Sequence, residues 1–197
     1  MGSARRRRLC HSGAMAIVHR AELKPAKLDL ISAWLPTQDW FRDSGHVERE
    51  ATFRLDDPAG EVGIETFIVR AGESLFHVPL TYRDAPLEGG RLVGELEHSV
   101  LGHRWVYDGP SDPVYTATTK AAIVSGAHEV ELYFADGQHV PRPAWAASVT
   151  GSGLPEDAEA WDLVIARLLP AAVPHGAQTL DASWAGLEGT LALAWLE

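Results

Sequence analysis

Between Leu92 and Tyr115 the chain reads LVGELEHSVLGHRWVYDGPSDPVY. Glu95, Glu97, His98, His103, Arg104, Trp105, Tyr107 and Asp108 fall within this run and are the candidate ligand-binding residues. Three chemistries are open to them. If the chain turns at Gly102 and brings His98 to His103, two imidazoles and a carboxylate could hold zinc with one position free. Glu97 with His98, or His103 with Asp108, could exchange protons near neutral pH, where imidazole titrates. Trp105 and Tyr107, two residues apart on a strand, share a face and could stack on a sugar while the neighbouring carboxylates and Arg104 meet its hydroxyls.

Each reading has a plainer counterpart. A turn region carries solvated polar side chains and one satisfied histidine, and two rings on one strand face usually belong to the sheet core. Zinc sites show tighter ligand spacing or a second-shell signature than this run offers. No GxSxG elbow marks a nucleophile, and the single cysteine, Cys10, lies near the N-terminus. No catalytic residue, metal or cofactor is therefore assigned.

Two further polar groups stand out. Asp56-Asp57-Pro58-Ala59-Gly60-Glu61 places three carboxylates in a short loop without the spacing of an EF-hand. Pro58 fixes φ and Gly60 permits a positive one, so a hairpin turn is expected there. In Thr81-Tyr82-Arg83, Arg83 is suited to pair with an acidic neighbour or to recognise a partner carboxylate.

Positioning these side chains falls mainly to strands. Lys27 to Leu35 has helical spacing through Leu28, Ile31, Trp34 and Leu35, with Trp40 and Phe41 as anchors after it. His46 to Asp56 alternates through Val47, Ala51, Phe53 and Leu55, and Glu61 to Arg70 completes a hairpin. Leu75 to Tyr82 contains Pro79, which points to an edge or a bulge. Leu92 to Leu101 and His103 to Tyr107 follow, broken at Gly102. Asp112 suits a helix N-cap and Pro113 the first helical position, with Val114, Ala117, Ala121 and Val124 on one face and Gly126 as the stop. Strands are expected at His128 to Phe134, with Val130, Leu132 and Phe134 inward, and at Trp145 to Val149, Trp161 to Leu169, Thr179 to Trp184 and Thr190 to Trp195. Gly151 to Asp157 reads as a polar loop. About nine strands and two helices place the fold in the α+β class, with a mostly antiparallel sheet packed by one or two helices.

Composition narrows the function classes. The chain has 197 residues, 46% hydrophobic and 22% charged, as in ordinary globular proteins. No apolar run approaches the roughly 20 residues of a membrane helix, and cytoplasmic location is the default expectation. Residues 1–14 read as a basic tail, or as the product of a start set upstream of Met15, with a single domain over 15–197. A basic arm for nucleic acid is the rival reading of Arg5 to Arg8. Without those four arginines the formal net charge of −10 becomes −14, and so acidic a body repels phosphate backbones.

Three segments carry a family resemblance: LVGELEHSVLGHRWVYDGPSDPVY, DDPAGEVGIETFIVR (Asp56 to Arg70) and VPLTYRDAPLEGG (Val78 to Gly90). Together they resemble the N-terminal cap domain of actinobacterial maltokinases and related aminosugar kinases. The resemblance covers Met15 to about Ala127. It implies a curved antiparallel sheet with a helix against it, cystatin-like in outline, and a hairpin fixed by the Asp56 to Glu61 loop. The motifs of phosphoryl transfer are absent from this sequence: it has no GxxxxGK, no glycine-rich loop with a paired lysine, and no HxD or DxD segment. Its three lysines, Lys24, Lys27 and Lys120, are not placed for ATP.

The resemblance therefore implies a stand-alone, non-catalytic cap-like protein linked to a sugar kinase or an enzyme of α-glucan or trehalose metabolism. One alternative is a saccharide-binding protein using Trp105, Tyr107, Glu97 and His98. The other is a small hydrolase or isomerase using Glu97, His98 or His103, an analogy from fold alone.

Overall fold

Asp57 sets the register of the first hairpin. Its Oδ1 accepts from the Ala59 N–H at 3.0 Å, and its Oδ2 accepts from Glu61 and Val62 at 3.0 and 2.9 Å. The turn so fixed joins β3 (Val47–Leu55) to β4 (Gly63–Ala71), with Leu55 opposite Ile64 and Arg54 opposite Glu65. The hairpin expected from the Pro-Ala-Gly chemistry is present. A computed structural model describes residues 21–153 and 161–197, and the backbone of 15–18. The basic tail and most of the 151–157 loop lie outside the described residues.

The main sheet continues through β5 (Ser74–Arg83), β7 (Gly102–Asp108), β6 (Leu92–His98) and the short β2 (Leu23–Lys24). Its order is β2-β6-β7-β5-β4-β3, with every pairing antiparallel. A second sheet runs β10 (Leu163–Ile165), β13 (Leu191–Leu196), β12 (Gln178–Ser183), β9 (Ser148–Gly151). β1 (Met15–Val18) pairs in parallel with β8 (Glu131–Phe134). β11 (Leu168–Leu169) pairs with β5. With the helices α1 (Lys27–Trp34) and α2 (Pro113–Ser125), this is the expected α+β class, with a curved, mostly antiparallel sheet.

The main sheet is covered on both faces. On one, Ile31, Trp34, Leu35 and Phe41 pack against Phe67, Val69, Phe76, Val78, Leu80, Leu96 and Val106. On the other, Ile64 and Ile68 meet Tyr115 and Ile123 of α2 and Leu180, Leu193 and Leu196 of the second sheet. Trp40 and Phe41 anchor as expected, with ring centroids 6.2 and 4.8 Å from Phe76.

Several elements differ from the sequence pattern. Val47, Ala51, Phe53 and Leu55 do not share one face. The β3–β4 register shifts between Arg49 and Ala51, so the strand carries an extra residue there. Val47 thereby joins the α1 side, while Ala51, Phe53 and Leu55 join the α2 side.

Pro79 marks neither a sheet edge nor a bulge. It lies where β5 changes neighbour, after the His77 N–H donates to the Arg167 carbonyl and before Leu80 pairs with Asp108. A missing N–H costs no ladder bond in that gap. The Trp161 to Leu169 run divides into β10 and β11, which belong to different sheets, because Ala166 bonds to Leu193 and Arg167 to His77 in between.

In α2 the fully buried residues are Tyr115, Thr119, Ala122 and Ile123; Val114 and Val124 pack half-buried against the same core, while Ala117 and Ala121 are exposed. The helix ends follow expectation: the Val114 N–H donates to Asp112 Oδ1 at 2.9 Å, and Gly126 closes it at φ 68°. Val130, Leu132 and Phe134 stay only half-buried, since β8 pairs with β1 outside both cores.

Candidate functional site

The β6–β7 hairpin carries all eight candidate residues and divides them between its faces. Antiparallel partners point the same way, and successive residues point opposite ways. Glu95 lies opposite Trp105, Glu97 opposite His103, Leu96 opposite Arg104 and His98 opposite Gly102. Glu95, Glu97, His103, Trp105 and Tyr107 therefore share one face, and His98, Arg104 and Asp108 the other.

On the first face His103 is clamped by two carboxylates. Its Nδ1 lies 2.7 Å from Glu97 Oε1 and its Nε2 lies 3.1 Å from Glu95 Oε2. The His103 and Trp105 rings meet edge to face at 4.4 Å. The hydrogen bond to Glu97 and the charges of Glu97 and Glu95 raise the imidazole pKa above its ordinary value. Trp105 and Tyr107 do share a face, yet Tyr107 is only 3% exposed. Its hydroxyl accepts from the Leu87 N–H at 2.8 Å, and Gly90 lies so close that a Cβ there would stand 2.7 Å from the ring. Tyr107 thus holds the 87–90 loop.

On the second face His98 Nδ1 accepts from the N–H groups of Val100 and Leu101 at 3.2 and 3.0 Å, closing the turn before Gly102. Asp108, 1% exposed, receives Arg167 Nη2 at 2.7 and 2.6 Å on its two oxygens and Arg91 Nη1 at 3.5 Å. His98 and His103 do not approach across the turn. Glu97 and His98 lie on opposite faces of the hairpin, as do His103 and Asp108. Among the described residues no group of three His, Cys, Asp or Glu side chains is placed to hold a metal. The cleft that His98 borders is lined by neither Glu97 nor His103.

His98 and Arg104 instead border a cleft of about 1190 Å³ on the α1 side, reaching across to the β3–β4 turn. At the cleft Lys27 pairs with Glu65 and lies 4.9 Å over the Tyr82 ring. Burial pushes the Glu65 carboxyl pKa up, but Lys27 and Arg54 outweigh it, and the net shift is downward. Burial and the Glu65 charge push the Tyr82 phenol well above its usual value. Asp56 is raised by burial and by neighbouring Asp57. Arg83 donates to both oxygens of Asp112 at 2.8 and 2.7 Å. The expected pairing of Arg83 with an acidic neighbour is thus made by the residue that caps α2.

Reading the residues in sequence missed Lys27, Arg54, Glu65 and Tyr82 as a group. The signal was present in part, since the turn at Asp57 fixes the register that sets Arg54 opposite Glu65. The approach of Lys27 depends on how α1 crosses the sheet, which no local pattern encodes.

Among the described residues no helix is long and apolar enough to cross a membrane. Comparison with curated proteins and with solved structures gave no match. The family comparison did: residues 34–112, from the end of α1 to the cap of α2 and including the whole β6–β7 hairpin, match the maltokinase N-terminal cap domain.

Proposed function

We propose that this chain is a non-catalytic, cap-like module that works by docking on a catalytic partner, a sugar kinase or an enzyme of α-glucan or trehalose metabolism. The match of residues 34–112 to a cap domain carries this reading. The use of polar groups within that segment supports it. Asp57 holds a turn, Asp112 caps a helix, Asp108 binds Arg167 and Glu65 binds Lys27. These carboxylates serve the framework, and a general acid or base needs one left for substrate. The turn of the β6–β7 hairpin also exposes Val100 and Leu101 at 55% and 44%, apolar side chains suited to a partner surface.

Affinity capture with cross-linking and mass spectrometry tests the reading, using the wild type beside a Val100→Asp/Leu101→Asp variant. The expected result is a sugar kinase or glucan-acting enzyme cross-linked to the β6–β7 hairpin in the wild type and lost in the variant. Failure to recover any such enzyme, or equal recovery by both proteins, would overturn it.

A further inference from the structure

The described arginines are nearly all spoken for. Arg70, Arg83, Arg91, Arg142 and Arg167 each pair with a carboxylate. Arg49 stacks on Trp145 at 4.0 Å, and Arg42 is exposed. Arg54 and Arg104 differ. Both are half-buried and both line the α1-side cleft; among the described residues neither forms an ion pair with a carboxylate, although the Arg54 charge acts on Glu65 and Asp56. Arg104 spends one N–H on the His103 carbonyl at 2.8 Å. In a chain with 27 acidic residues, two partly desolvated guanidiniums outside any ion pair among the described residues are energetically costly.

Their placement opens the space between them. Arg54 on β3 and Arg104 on β7 are separated by β4 and β5 and offset by four residues along the strands, so their backbones stand roughly 20 Å apart at the usual strand spacing and rise. Arg54 leans over Gly63, where a Cβ would lie 3.6 Å from its Nη2 and 3.5 Å from the Tyr82 ring. The carboxylates bordering the cleft are engaged or peripheral. Glu65 is held by Lys27, Asp57 by its own turn, and Glu61 and Asp84 sit exposed at the rim. Among the described residues, Asp56, half-buried beside Asp57, is the one acidic group left near the wall.

We propose that this cleft is an anion site, with Arg54 and Arg104 as donors to a phosphate group, free or carried as the phosphomonoester of a small polar molecule. Guanidinium forks match phosphate oxygens in geometry and stay charged at any working pH. The overall acidity of the chain repels a polyanion spread over its surface. A single phosphate within a few ångströms of two guanidiniums is governed by those two, because more distant charges are screened. The cleft exceeds what one phosphate fills and has room for an attached polar body.

Titration of the full chain with inorganic phosphate, glucose 6-phosphate and glucose, followed by amide chemical shifts and calorimetry, tests the proposal. Saturable binding of a phosphate-bearing probe is expected, weakening with added salt and perturbing the amides of Gly63, Tyr82 and Leu101. Inorganic phosphate binding as well as glucose 6-phosphate assigns the site to the free ion, and tighter binding of glucose 6-phosphate assigns it to the ester. Arg54→Gln and Arg104→Gln should each weaken binding by roughly ten-fold or more, the scale of one lost charge-assisted pair. Arg42→Gln should not. Thermal melts of all three variants check that each is folded. Three results would overturn the proposal: no saturation by either phosphate probe at tens of millimolar, equal binding of glucose, or unchanged affinity in folded Arg54→Gln and Arg104→Gln.

Discussion

Arg167 Nη2 lies 2.7 and 2.6 Å from the two carboxylate oxygens of Asp108, and this pair ties the segment that matches the cap domain to the chain beyond it. Asp108 ends β7 within residues 34–112, and Arg167 sits between the two sheets outside them. The neighbouring contacts repeat the tie. The His77 N–H donates to the Arg167 carbonyl, His77 Nδ1 lies 2.9 Å from the Ala166 carbonyl, and Ala166 N–H donates to Leu193.

Arg167→Ala should therefore destabilise the whole molecule. Asp108 is 1% exposed and, among the described residues, would keep only Arg91, at 3.5 Å, as an ion-pair partner. Breaking a buried pair from one side costs about 3–5 kcal/mol. Urea unfolding should show a matching fall in the midpoint, with Asp108→Asn/Arg167→Met recovering part of it. A midpoint shift of under about 1 kcal/mol for Arg167→Ala, the range of an exposed pair, would show that the tie is weak.

The same relationship predicts that residues 34–112 do not fold alone. Ile64 and Ile68 on β4 face Tyr115, Leu180 and Leu193, all beyond that segment, so excision would bare one whole sheet face. A peptide of residues 34–112 should give collapsed amide dispersion and bind hydrophobic dyes, whereas residues 21–197 should give a dispersed spectrum. A well-dispersed spectrum from the short peptide would contradict this.

Asp112 should be a principal source of acid sensitivity. Burial raises its pKa, but the Arg83 fork and the Val114 N–H outweigh that, and the net shift is downward. A carboxyl lowered on folding stabilises the native state above its unfolded pKa of about 3.9, and that stability is lost as pH falls through the folded value. Glu65 acts in the same direction. Asp112→Asn keeps a capping oxygen and removes the charge, so melts between pH 6 and pH 2 should start lower and fall less steeply than wild type. Parallel curves would show that Asp112 does not titrate differently in the two states.

How much of this was legible depended on whether the cause was local. The hairpin at Asp57, the α2 cap at Asp112 and the stop at Gly126 came from turn and capping chemistry, which neighbouring residues dictate. The two faces of the β6–β7 hairpin followed from strand alternation once Glu97 was set opposite His103. What escaped was non-local. The extra residue near Glu50 sends Val47 to the opposite core, and nothing in VEREATFRL marks it. The full burial of Tyr115 and Thr119 on α2 was not legible because small apolar residues occupy several faces of that helix. Asp108 looked like a proton-transfer partner because Arg167, its counter-ion, lies 59 residues away.

The histidines should divide sharply in a proton titration. His103, held by Glu97 and Glu95, should titrate above its ordinary value of about 6.5, and Glu97→Gln should bring it down. With its folded pKa raised, His103 favours the native state below the unfolded value, a contribution lost as pH rises through the folded one. His77 should do the reverse. Burial, with the Arg167 charge, pushes it down to about 3, so it stays neutral in the native state. It favours folding above pH 6.5 and loses that contribution as pH falls toward 3. Histidine Cε1–H shifts followed from pH 8.5 to pH 4 check both, and a His77 midpoint near 6 would show that the joint between the sheets is open to water.

Gly151 tests the packing of α2 on the second sheet. A Cβ there would stand 2.0 Å from the Ala122 carbonyl oxygen and 2.9 Å from the Ile123 Cα, both fixed backbone atoms that cannot swing aside. The Gly151 N–H also donates to the Ala127 carbonyl at 2.9 Å, which holds strand and helix end together. Gly151→Ala must push α2 off β9, and overpacking of this kind costs about 1–3 kcal/mol or more. Gly137→Ala is the control for a generic glycine effect: its φ of 81° is unfavourable for alanine, but a Cβ there meets nothing within 4 Å. The Gly151 variant should lose more stability than the Gly137 variant and lose amide protection along α2 first. Equal losses, with α2 protection unchanged, would mean that the helix does not depend on this close approach.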